Sequence, residues 1–143
     1  MKSFSSLLNE IFDSPYAVSI VKQVSHTCVF KIHVPDGKQS LIFYCDINNA
    51  STATANLSTG LGHVGFTDEY HGTSRVYGSV MECLRQFSHL YPQIKHIEFG
   101  AVFTAQARMY RKLLQRFAHQ HGWSFRQIGT HDFSLERPEH VPV

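Results

Sequence analysis

The sequence predicts a single α+β domain: a mixed, mostly antiparallel sheet flanked by helices. Three observations lead there. Residues 16 to 47 hold three runs rich in β-branched and aromatic side chains, separated by short breaks. Two later segments repeat apolar residues at helical spacing. Short apolar runs follow each of those segments, giving a β-α-β-α-β tail behind the opening strands. The length of 143 residues suits one core rather than two, and no linker or internal repeat divides it. Hydrophobic residues at 43% and charged residues at 17% describe a chain that folds.

Taken in order, "SFSSLLNEIF" (3–12) reads as a short amphipathic helix capped by Ser3, within an N-terminal stretch 1–13. Pro15 stops it, because the residue before a proline resists helical angles. "YAVSIVKQV" and "HTCVFKIHV" are the first two strands, "PDG" (35–37) is a tight turn, and "QSLIFYCDI" is the third strand. "NNASTATANLSTG" (48–60), small and polar, is expected to be a loop. "GHVGFTD" (62–68) alternates polar and apolar positions and is expected to be a fourth strand, weakened by its glycines. From Ser74 to Tyr91 a helix gathers Val76, Tyr77, Val80, Met81, Leu84, Phe87 and Tyr91 on one face, and Pro92 ends it. "IKHIEFGAVF" is a strand of the sheet interior. A second long helix spans about Thr104 to His121, with Gly122 as a left-handed stop. "WSFRQIGTHDFSLER" supplies one or two last strands, and residues 138–143 are a tail.

The second long helix raises the functional question. Ala107, Tyr110, Leu114 and Phe117 share one side of it, while Arg108, Lys112, Gln115, Arg116 and His119 share the other. From Phe99 to His131 there is no Asp or Glu, so the local field favours an anion or an acidic partner. A solvated outer face, with cations placed toward the helix's negative end, accounts for the same residues without a ligand.

Other constellations are thinner. The net charge of +2 does not suit a general nucleic-acid binder, and no aromatic platform interleaves the basic stripe. Nothing approaches the roughly 20 apolar residues of a membrane span, and "MKSFSSLLNEIFDSPY" lacks the apolar core of a secretion signal. Cys28, Cys45 and Cys83 stand far apart and read as reduced, partly buried thiols of a cytoplasmic protein. Ten histidines invite a metal, but His26 and Cys28 share only one strand face and the paired spacings of a zinc site are absent, so no metal is expected. A Cys83, His89, Asp132 trio can be drawn, yet Cys83 belongs to the apolar flank of its helix.

The succession of strands, a glycine turn into a helix, a strand, and then "ARMYRKLLQRFA" with "GW" before the end resembles the GNAT acetyltransferase fold. In that family a turn of form Q/R-x-x-G-x-G/A ends the fourth strand and holds the coenzyme A pyrophosphate on backbone amides. "EYHGTS" (69–74) is similar: Gly72 matches the first glycine, Ser74 the second small residue, and Glu69 stands where the family has Gln or Arg. The resemblance implies acetyl-coenzyme A as cofactor, with His71, Gly72, Thr73, Ser74 and Arg75 around its phosphates. It implies Tyr110 as the acid that meets the departing thiolate, and an amine as acceptor, with Glu69 or Glu98 as base. Residues 63–125 also resemble small uncharacterised proteins of bacterial viruses and plasmids. That likeness implies a second function: a non-catalytic GNAT-like protein that binds a host or virion protein.

Overall fold

The computed structural model describes residues 15–34, 41–59, 74–101 and 104–138. The expected helix at 3–12, the "PDG" turn and the strand expected at 62–68 lie outside these residues.

Among the described residues, seven strands make one sheet: β1 (Val18–Val24), β2 (Thr27–Ile32), β3 (Leu41–Ile47), β4 (Thr52–Thr59), β5 (His96–Gly100), β6 (Ser124–Gln127) and β7 (Asp132–Glu136), in the order β1-β2-β3-β4-β5-β7-β6. Helix α1 (Ser74–Leu90) follows β4, and α2 (Thr104–His121) follows β5. Only β4 and β5 run parallel; every other neighbouring pair is antiparallel. The parallel pair is a consequence of the chain path, since β4 reaches β5 through a helix and not a tight turn.

The segment 48–60, expected to be a loop, instead holds β4. Strict alternation explains it. Ala53, Ala55 and Leu57 are buried, while Thr52, Thr54 and Asn56 point to the other face. Alanines serve as the apolar phase there, and the threonines favour extended backbone.

Register builds one continuous apolar face. Phe30 lies opposite Phe43 and Phe43 opposite Leu57; Cys28, Cys45, Ala55, Phe99 and Phe133 form the adjoining row. Ring contacts run along this face from Phe30 to Phe43 (6.5 Å between centroids), Phe43 to Phe99 (6.5 Å) and Phe99 to Tyr110 of α2 (5.6 Å). Both helices lie on this face, α1 over β1 to β3 and α2 over β6 and β7. The sheet is therefore covered by helices on one side among the described residues, not flanked on both. The opposite face carries Asp46, Thr54, Asn56, His96, Glu98, Asp132 and Glu136.

Helix α1 buries Val76, Val80, Met81, Cys83, Leu84 and Phe87 as its periodicity requires; Tyr77 is only half-buried. Cys28, Cys45 and Cys83 are all free and fully buried, and burial pushes each thiol up. Gly122, at φ 74°, stops α2 as expected. Arg137 then ties the sheet to α1. Its Nε donates to the Ile94 carbonyl (2.9 Å), its Nη2 to the Ser88 carbonyl (3.0 Å), and its guanidinium lies 4.6 Å from the Trp123 ring centroid.

Replacing Arg137 removes a cation that serves the last turn of α1 and the lead into β5 together. Arg137→Ala is expected to cost about 2 kcal/mol, read as a lower urea midpoint at unchanged slope. Arg137→Lys should recover less than half of it, because one ammonium does not reproduce the planar fork. An alanine variant as stable as the parent would show that the clamp contributes nothing.

Candidate functional site

The single parallel pair is also where the sheet opens. β4 pairs with β3 along its length from Ala53 to Thr59, but with β5 only from Thr52 to Ala55. After Phe99, β5 stays with β7: Gly100 lies opposite Asp132, and the Ala101 amide donates to the His131 carbonyl (2.8 Å). Past Ala55, therefore, one edge of β4 has no strand neighbour among the described residues. The peptide groups on that edge need other partners, since an unpaired buried N–H or C=O costs on the order of 1–3 kcal/mol.

Helix α2 supplies them. The Leu57 amide donates to Tyr110 Oη (2.8 Å), and Gln106 Nε2 donates to the Leu57 carbonyl (3.2 Å). Tyr110 in turn donates to Asn56 Oδ1 (2.9 Å), which the Leu57 amide also approaches (2.9 Å). Gln106 and Tyr110 are four residues apart, one turn of the same helix face, so both reach the opening together. Tyr110 is 0% exposed, and its hydroxyl both donates and accepts. Burial pushes its phenol well above the ordinary value of 10.0, with the Leu57 amide pulling back weakly. The group stays protonated throughout the physiological range: it can donate a hydrogen bond and cannot serve as a base.

On the open face, beside the last rungs of the parallel pair, lies a depression of about 300 Å³ lined by Thr54, Glu98, Gly100, Ile128 and Asp132. Glu98 is exposed, and its Oε1 lies 3.3 Å from His96 Nε2; the other ring nitrogen of His96 lies 3.6 Å from Glu136 Oε1. Two carboxylates on the rim, Glu98 and Asp132, give the depression a negative lining suited to a cation.

Of the residues singled out in the sequence, Tyr110 and Glu98 are thus placed on opposite sides of the sheet near the end of the β4–β5 ladder. Glu69, His71, Gly72 and Thr73 lie outside the described residues. Ser74 opens α1, whose first turn holds no acidic residue. Arg75 follows it, with its guanidinium 4.2 Å from the Tyr16 ring centroid and its Nη2 3.5 Å from the Pro15 carbonyl. Asn56 and Gln106 escaped the sequence reading. Asn56 sits in the strand taken for a loop, and only the alternation from Thr52 to Thr59 signals it. For Gln106 the signal in the sequence is its place one turn before Tyr110 on the same helix face.

The described residues contain no group of three or more His, Cys, Asp or Glu side chains placed to hold a metal ion, and no helix long and apolar enough to cross a membrane. Neither a protein-family model, a curated protein nor a solved structure matches the chain significantly.

The Tyr110 hydroxyl generates a prediction about alkaline stability. Below pH 10 both folded and unfolded chains hold the phenolic proton. Above it the unfolded chain releases the proton and the folded one does not, so stability falls as pH rises. The slope attributable to one such group approaches about 1.4 kcal/mol per pH unit. Cys45 and Cys83 contribute with the same sign, starting lower. Tyr110→Phe should cost about 1–3 kcal/mol at pH 7 and give a shallower decline between pH 10 and 11 in urea melts. Parallel pH curves for the two proteins would contradict this account of the hydroxyl.

Proposed function

We propose that the chain is an acyl-coenzyme A-dependent N-acyltransferase of GNAT type, acting on an amine. One observation carries the reading: the β4–β5 ladder ends at Ala55 and Phe99 and leaves a peptide edge, the N–H and C=O of Leu57, turned into the opening. The strand order, with one parallel pair between two antiparallel arms, supports it as well. An extended amide-bearing arm needs such an edge, one donor and one acceptor, to lie beside the strand as a neighbour would. The donor set therefore fits. When bound, the thioester supplies an activated acyl group for attack by an amine.

The chain's own residues divide the remaining work. Once freed from Tyr110, the Leu57 amide would donate to a carbonyl oxygen of the bound thioester arm, and a preorganised donor there contributes more than the same bond in water. Tyr110 donates a hydrogen bond where negative charge collects on a leaving group. Glu98, with Asp132 on the same rim, holds an ammonium on the open face and accepts its proton; Glu69 is the other carboxylate proposed as base. His71, Gly72, Thr73, Ser74 and Arg75, at the entry to α1, hold the phosphates of acetyl-coenzyme A, whose charge suits a helix start. Tyr110 and Gln106 must exchange their bonds to Leu57 for the arriving arm. The cytoplasm, which keeps thiols reduced, suits three free cysteines.

A second reading has its own support. The opening is filled, Tyr110 is 0% exposed, and its hydroxyl donates to Asn56 while accepting from the Leu57 amide and, at 3.5 Å, from Gln106 Nε2. A non-catalytic GNAT-like protein of a phage or other mobile element, which binds a host or virion protein, would keep this plug permanently.

Acetyl-coenzyme A separates the two. At a hundredfold over its dissociation constant, an enzyme should gain about 2.7 kcal/mol, a rise in Tm on the order of 5–10 °C. Gly72→Trp should abolish that rise together with amine-dependent thiol release, which is readable with a thiol reagent because all three cysteines are buried. Absence of any shift at millimolar acetyl-coenzyme A sinks the enzyme. Glu98→Gln should leave the shift intact and lower turnover by about 10²-fold. Undiminished turnover would remove Glu98 from the mechanism.

A further inference from the structure

The acid-free stretch from Phe99 to His131 is not used by the chemistry above, and the fold collects part of it into a cavity. Helix α2 and the turn between β6 and β7 border an open hollow of about 170 Å³. Arg108 and Arg111 line it from α2, with Thr104 one turn before Arg108; Gln127, Thr130 and His131 line it from the turn. No carboxylate is among the lining residues. Arg108 and Arg111 are exposed, and no ion pair engages either one among the described residues. Asp132 is the nearest acid in sequence. Its carboxylate lies beside Gly100 and Gly129, and the residue lines the acidic depression described above.

We infer that this cavity is a binding site for the phosphoryl group of a small phosphomonoester. Two guanidiniums three residues apart lie on one side of α2 and present forked donors, which match the oxygens of a tetrahedral oxyanion. Thr104 and Thr130 add hydroxyls from opposite walls. The cavity sits against the first turns of an 18-residue helix, where the backbone dipole is positive. The turn is built before any ligand arrives: the amides of Ile128 and Gly129 donate to the Asp132 carbonyl (2.8 and 3.2 Å), and Gln127 Nε2 donates to the Gly129 carbonyl (3.0 Å). Ala101 pins the His131 backbone from β5. The turn's backbone is therefore set before a ligand arrives, and only side chains remain to be ordered. The hollow is open to solvent on one side, and its roughly 170 Å³ leaves room for a phosphoryl group with its ester linkage directed outward. Concave walls favour a small molecule over a flat nucleic-acid backbone. The site stands on its own residues and does not depend on acyl transfer.

The probe is inorganic phosphate, titrated at constant ionic strength against the full chain and followed by nitrogen-15 NMR. Saturable shifts should appear at the Arg108 and Arg111 side-chain Nε–H groups and at the Thr130 and His131 amides. Arg108→Gln and Arg111→Gln should each weaken phosphate by about tenfold or more. Lys112→Gln removes the same charge from the same helix outside the cavity and should change affinity by no more than about twofold. Arg108→Lys, which keeps the charge and loses the fork, should fall between. Both arginines are exposed, so an unchanged Tm without phosphate is expected and verifies the fold. Non-saturating shifts, or equal losses in the Lys112 and Arg108 variants, would overturn the site in favour of a diffuse positive field.

Discussion

The structure turns on the parting of β4 from β5. A parallel pair in an otherwise antiparallel sheet joins two arms, one built from β1 to β4 and the other from β5 to β7. Each arm keeps its own ladder complete: β4 stays with β3 to Thr59, and β5 stays with β7 to Gly100. The ladder between the arms cannot then follow both, and it stops after four residue pairs. What remains, among the described residues, is a buried peptide edge at Leu57 without a strand beside it. The requirement that buried backbone groups be paired determines what must stand opposite it.

That requirement fixes the placement of α2. Gln106 and Tyr110 reach Leu57 only if the helix crosses above the opening, and the Tyr110 ring then rests on Phe99. With α2 held there, Leu113, Leu114 and Phe117 are directed into the same core as α1. A tyrosine is suited to the task. Its ring contributes apolar area to the core, and its hydroxyl reaches a peptide group at the far end. The same geometry is compatible with a strut and with a hydrogen-bond donor awaiting a ligand. What distinguishes them is whether the bond to Leu57 can be exchanged, an energetic question of one or two bonds and not of fold.

Much of this organisation was legible in the chain. Helical periodicity located α1 and α2 to within a residue at each end, because both have a wide apolar face and a sharp stop. The aromatic and β-branched runs located β1, β2 and β3. β4 was obscured because its inward residues are alanines and its outward ones threonine and asparagine. Composition there suggests a loop, while the two-residue period specifies a strand. The small side chains have a physical role: Ala53 and Ala55 leave room under the helices where large residues from neighbouring strands, Phe43 and Phe99, already fill the space. Tyr110 was legible as a buried aromatic. Its partners were not, because they are main-chain groups freed by a divergence of strands that are distant in sequence.

Charge is sorted by the sheet in a way that linear sequence conceals. The acid-free stretch ends at His131, and the next residue is Asp132. In an extended chain, neighbours point to opposite faces. At this step the chain passes from the cationic side, with Arg108 and Arg111 of α2, to the anionic side, with Glu98. Phe133 follows and returns to the apolar face, packed on Phe125 with ring centroids 6.0 Å apart. The turn between β6 and β7 thereby borders both hollows, through His131 beside the arginines of α2 and through Asp132 beside Glu98. A net charge of +2 hides this, because the two sides cancel in the sum. Local fields, not the total, decide which ligands each side attracts. At the end of the sheet where the strands part, Arg108 and Arg111 therefore lie on the helix side, while the open side holds Glu98 and Asp132 with Arg126 two strands from Glu98.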